Sequence, residues 1–118
     1  MPHFIEILEP HYRSLLKRCE RRKISVNLDI QDLTVNIRNV EPVDTFLQSE
    51  IKRALSNCAE GDKITIAESS NADQIKVSVK NSGRATLTDE DKKKLRDSGY
   101  EVRARFGYDT VISITLER

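Results

Sequence analysis

The apolar residues between Asp44 and Ala85 change period once, and that change constrains the fold of this chain more than any other feature. Phe46, Leu47, Ile51, Ala54, Leu55 and Cys58 fall on one side of a 3.6-residue helix. Beyond Gly61 the period is two: Ile64 and Ile66, then Ile75, Val77 and Val79, as in strands with one buried face. A helix pressing its stripe on a sheet is predicted. The second strand runs into Asn81-Ser82-Gly83-Arg84-Ala85, where glycine can take a backbone conformation that other residues resist.

The flanks extend the pattern. Ile5, Leu8, Tyr12, Leu15, Leu16 and Cys19 mark a first helix, with Pro10 either kinking it or opening its main segment. Arg18, Glu20, Arg21, Arg22 and Lys23 close that helix. Cations suit a helix C-terminus and are solvated there; the functional alternative is a docking patch for an acidic partner, in which case Arg21→Glu with Arg22→Glu should abolish partner capture and spare the fold. Ile24, Val26, Leu28 and Ile30 alternate, Gln31-Asp32 makes a turn, and Leu33, Val35 and Ile37 alternate back, which predicts a hairpin. Pro42 and Asp44 introduce the central helix, Asp44 as its N-cap. After the glycine turn, Thr88-Asp89-Glu90-Asp91 reads as the capped start of a short helix that Gly99 ends. Tyr100, Val102, Ala104 and Phe106, then Gly107 to Asp109, then Ile112, Ile114 and Leu116 predict a closing hairpin. The expected order is helix, two strands, helix, two strands, short helix, two strands. That order describes an α+β, two-layer sandwich: one domain over residues 1–118, a mixed sheet of five to six strands, and three helices on one face.

Composition narrows the function classes. Charged residues at 33% and aromatics at 5% would suit disorder, but the two clean periodicities place the apolar residues for a core. A net charge of +1 supplies no field of the kind nucleic-acid binders carry, so nucleic acid is not an expected partner. The start lacks a basic leader, and no apolar run is long enough to cross a bilayer; a cytoplasmic address is expected. Cys19 and Cys58 sit on apolar stripes without a cysteine or histidine at ligand spacing, and read as small core residues rather than as a disulfide or metal pair.

The order of elements, ALSNCAE on the central helix and VSVKNSGRATL after a strand resemble the ATP-binding domain of sensor histidine kinases, the Bergerat-type fold shared with gyrase, MutL and heat-shock chaperone ATPases. The closing GYEVRARFGYDTVISITLER is similar to the last hairpin of such domains, and the resemblance runs from about Leu8 to Leu116. It implies ATP and magnesium as ligands, with Asn57 at the position of an asparagine that helps hold magnesium on the phosphates. An amide oxygen is a chemically reasonable magnesium ligand.

Four departures accompany the resemblance. Where the family usually has a polar or acidic residue, one turn before Asn57, this chain has Arg53; a permanent cation there disfavours a metal ion and cannot act as a base, though it could touch phosphate. The family's Asp-x-Gly-x-Gly is Asn81-Ser82-Gly83-Arg84-Ala85, which keeps Gly83, loses the adenine-binding carboxylate to Asn81, adds a cation at Arg84 and puts a methyl at Ala85. From Thr86 to Ser98 there is no glycine, so no long lid fits before the short helix. His3 and His11 lie in no recognisable phosphoacceptor motif.

The sequence therefore implies a degenerate, lidless domain without kinase activity and without a cofactor, acting as a protein-interaction or regulatory module in signal transduction. Its expected partners are a protein of a signalling pathway and, through the first helix, a second copy of itself. The alternative is a weak ATP-binding domain of a two-component sensor kinase, with Asn57, Asn81, Gly83 and Arg53 on the nucleotide and Asn57 on the metal. A third class is a scaffold whose likeness is confined to the fold.

Overall fold

In the computed structural model, which describes residues 1–83, 87–104 and 109–118, the period change at Gly61 is a helix-to-sheet junction. The elements are α1 (Phe4–Arg22), β1 (Ser25–Ile30), α2 (Val40–Asn57), β2 (Lys63–Ser70), β3 (Gln74–Asn81), α3 (Asp89–Asp97), β4 (Glu101–Ala104) and β5 (Thr110–Glu117). The five strands form one mixed sheet in the order β1-β2-β3-β5-β4; β1 and β2 are parallel and the other pairs antiparallel. Register aligns Ile66, Val79 and Ile112 across three strands, all without exposure. Over that row lie Phe46, Leu47 and Ala54 of α2, flanked by Phe4, Leu8 and Leu15 of α1. Burying each large side chain stabilises the fold by about 1.5–3 kcal/mol. Phe46 also meets the Tyr100 ring edge-on at 5.1 Å, which ties α2 to the turn before β4.

Two of the predicted elements differ. No hairpin joins residues 24–37: β1 stands alone and takes β2 as its parallel neighbour. Alternation reports which face is buried, not which strand is next door. Val35 and Ile37 are buried as the pattern requires, but their backbone pairs with the N-terminus, Phe4 N–H donating to Val35 O at 2.9 Å and Ile37 N–H to Pro2 O at 2.9 Å. The chain leaves the sheet after Ile30 because Glu68, buried at the end of β2, accepts from the Gln31 and Asp32 N–H groups at 3.0 and 2.9 Å. The Thr34 hydroxyl and N–H in turn bond the Asp32 carboxylate, holding its pKa below the ordinary value.

Asp44 is not an N-cap. The helix begins at Val40, with Asn39 in the cap position, so Pro42 lies in the first turn, where its missing N–H would have had no helical partner. Asp44 instead accepts from His11 Nε2 of α1 at 2.6 Å, and His11 is a helix-to-helix contact. Pro10 is interior to a helix that already starts at Phe4. The short helix is as predicted: Thr88 Oγ1 accepts from Asp91 N–H at 3.1 Å, and Gly99 follows with a φ of +88°.

Arg22 corrects the reading of the basic cluster. Its guanidinium donates to Leu55 O at 2.7 Å and Cys58 O at 2.5 Å, capping the carbonyl end of α2 from α1. Reversing Arg22 to glutamate would therefore not spare the fold. Arg22→Ala should lower stability by about 2 kcal/mol, the scale for two charge-assisted bonds at a part-buried helix end. Urea denaturation checks this; an unchanged midpoint would show the cap to be dispensable.

Both cysteines are free and buried, as expected. Burial raises the Cys19 thiol, and burial with the Asp62 charge pushes Cys58 up to about 11. The folded state thus holds the proton. Stability from this source is complete below the unfolded thiol's ordinary value and is lost as pH rises toward 11. Neither thiol should react with a disulfide reagent at pH 8 until urea is added; rapid native labelling would contradict the burial.

Candidate functional site

Asn57 ends α2, and Asn81 ends β3 beneath it. Strand register puts Asn81 between Ile64 and Thr110, on the face that α2 covers, and its side chain has no exposure. A buried amide needs partners. Arg53, one turn before Asn57, supplies one: its Nη1 donates to Asn81 Oδ1 at 3.1 Å. Because arginine only donates, the amide oxygen must face it. Arg53 Nε donates at 2.7 Å to Glu50 Oε1, one turn earlier. The Glu50 side chain is 3% exposed and that of Arg53 14%, so a carboxylate and a guanidinium neutralise each other almost out of water. Among the described residues Arg53 Nη2 and Asn81 Nδ2 have no partner.

Gly83 closes the junction. Its φ is +146°, and a Cβ there would stand 2.7 Å from the carbonyl oxygen of Asn57 and 3.3 Å from Asp62 Oδ2. The turn after β3 is pressed against the end of α2, with Ser82 N–H donating to Lys63 O at 2.9 Å and Cys58 Sγ to Ser82 O at 3.5 Å. Beside it lies an open groove of about 500 Å³ between α2 and α3, whose lining includes Glu50, Arg53, Asn57, Leu87, Asp91 and Lys94.

The four residues singled out from the sequence are thus brought to one junction but not to one surface. Asn57 is half-buried on the groove, Arg53 lies between the groove and the core, Asn81 is enclosed, and Gly83 backs onto the helix end. Arg84 and Ala85 lie outside the described residues, as do Phe106 and Gly107 of the closing hairpin. Glu50 was missed. It had a signal: it falls on the apolar stripe of α2 between Val43, Phe46, Leu47, Ile51 and Ala54, three residues before an arginine. Among the described residues no three histidine, cysteine, aspartate or glutamate side chains gather around a point suited to a metal ion.

No family model and no curated protein matches the sequence. Solved structures do. The nucleotide-free catalytic domain of the histidine kinase ThkA superposes with a TM-score of 0.77 at 15% identity, covering 98% of this chain and 94% of that one. The chain has the fold of a histidine kinase catalytic domain. The histidine kinase AdeS of Acinetobacter baumannii gives 0.74 at 15% identity, with 98% of this chain matching 64% of that one. ThkA in complex with the response regulator TrrA gives 0.74 at 17%, this chain spanning 40% of it. On this histidine kinase fold the junction of Asn57, Asn81 and Gly83 is the place that the resemblance assigns to nucleotide. No helix among the described residues is long and apolar enough to cross a membrane.

Proposed function

We propose that this chain is a protein-interaction or regulatory module of a signalling pathway, built on the histidine kinase catalytic fold and without kinase activity. One observation carries the reading: Arg53, one turn before Asn57, reaches across to Asn81 and donates to its buried side-chain oxygen. The residues present do not fit magnesium and ATP. Asn81 Oδ1 already accepts from Arg53, and the residue has no exposed surface to offer a base. Asn57 has a guanidinium one turn away where a metal would need oxygen ligands. The stretch from Leu87 to Ser98 is given over to α3 and its caps, which leaves no length for a lid. That ThkA is found with a response regulator motivates a protein partner here.

Labelled ATP with magnesium should therefore yield neither hydrolysis nor protein phosphorylation above a buffer blank. Turnover that disappears in Asn57→Ala would overturn the reading.

A second reading, weak metal-free nucleotide binding, has one observation in its favour: among the described residues Arg53 Nη2 and Asn81 Nδ2 are donors without acceptors. It requires that Arg53→Met with Glu50→Leu weaken ATP affinity measured without magnesium; equal affinity excludes it.

A further inference from the structure

We propose that the groove between the C-terminal halves of α1 and α2 docks an acidic helical segment of the signalling partner, an inference that rests on the interaction-module reading. Ser14, Lys17, Arg18 and Arg21 follow one another at three, one and three residues, and so line one strip of α1 about 10 Å long at 1.5 Å per residue. Arg22 and Leu55 close its other side, and the concavity holds about 480 Å³.

Two features mark this strip. Five exposed cations elsewhere have carboxylate partners, Arg13 with Glu9, Lys23 with Glu60, Lys76 with Glu101, Lys80 with Asp109 and Lys94 with Glu90, while others, Lys93 and Arg96 of α3 among them, have none among the described residues. Among the described residues Lys17, Arg18 and Arg21 have none within 4.0 Å. On a chain of net charge +1, positive charge is left uncompensated along this strip. The second feature is the treatment of the α2 C-terminus, whose carbonyls would repel an incoming carboxylate. Arg22 already covers them, at Leu55 O and Cys58 O. The alkyl stems of lysine and arginine beside Leu55 give the groove an apolar floor under a charged rim.

The size of the strip selects the occupant. Ten ångströms is two turns of helix, so aspartate or glutamate at i, i+4 and i+7 would meet Lys17, Arg18 and Arg21. A polynucleotide needs a longer basic track, and here Glu6 and Glu9 bound one end while Glu20 and Glu60 bound the other. A membrane surface would need apolar anchors among the cations, and the strip carries none.

The probe is a lactam-stabilised helical peptide bearing glutamate at i, i+4 and i+7, followed by fluorescence anisotropy at 50 mM salt. Saturable binding is expected, with amide shifts at residues 14–21 and Leu55, a loss of about tenfold or more in Arg18→Glu with Arg21→Glu, and steep weakening with salt. Lys93→Glu with Arg96→Glu, on α3 beside the far edge of the sheet, should bind as wild type; circular dichroism melting confirms that both variants fold. Absence of binding, equal loss in the two variants, or tighter binding of an oligonucleotide of the same charge would overturn the proposal. The two readings fail separately. Peptide binding alongside ATP turnover would sink the non-kinase function and keep the groove, whereas refusal of both ligands would sink the groove alone.

Discussion

Arg53→Ala should cost this domain about 3 kcal/mol or more. The variant leaves the Glu50 carboxylate, 3% exposed, with no counter-charge, and removing one partner of a buried pair costs about 3–5 kcal/mol. It also strips Asn81 Oδ1 of its donor. Urea denaturation reads the loss directly. Adding Glu50→Leu to Arg53→Ala removes the stranded charge and should return part of the loss. An unchanged midpoint in Arg53→Ala would mean that Arg53 does not hold the junction together.

Gly83→Ala is expected to be the second most damaging change. A φ of +146° is strained for any side chain, and the added Cβ would lie 2.7 Å from a backbone oxygen that cannot swing away, since Asn57 O belongs to the end of α2. Adding the cost of a disfavoured backbone state to that of overpacking gives a loss of about 2–4 kcal/mol. The significance is functional as well as structural. The resemblance assigns this glycine to close approach of a nucleotide; in this chain the close approach is made by the protein's own helix terminus. A wild-type melting curve for Gly83→Ala would show that the turn is not pressed against α2.

How much of this was legible depended on whether a signal was local. The α2 stripe, the alternation of β2 and β3, and the Thr88 cap were legible because each is set by side chains a few residues apart. The supposed hairpin of residues 24–37 was not, because its fate rests on Glu68, whose carboxylate reaches across from β2 to hold Gln31 and Asp32. Asp44 has the chemistry of a cap, yet its partner is His11, thirty-three residues away. At the site, sequence placed Arg53 near Asn57 but not on Asn81, since strand register decides which face Asn81 takes and how deep it lies. Glu50 could have been found: a carboxylate on an apolar stripe, three residues from an arginine, is already a statement about a buried ion pair.

The most direct test is an amide-resolved titration of the protein with magnesium and ATP. With Asn81 held by Arg53, no saturable shift is expected at Asn57, Asn81 or Gly83 up to millimolar nucleotide. Saturation at micromolar concentration with shifts centred on Asn57 and Asn81 would contradict the account.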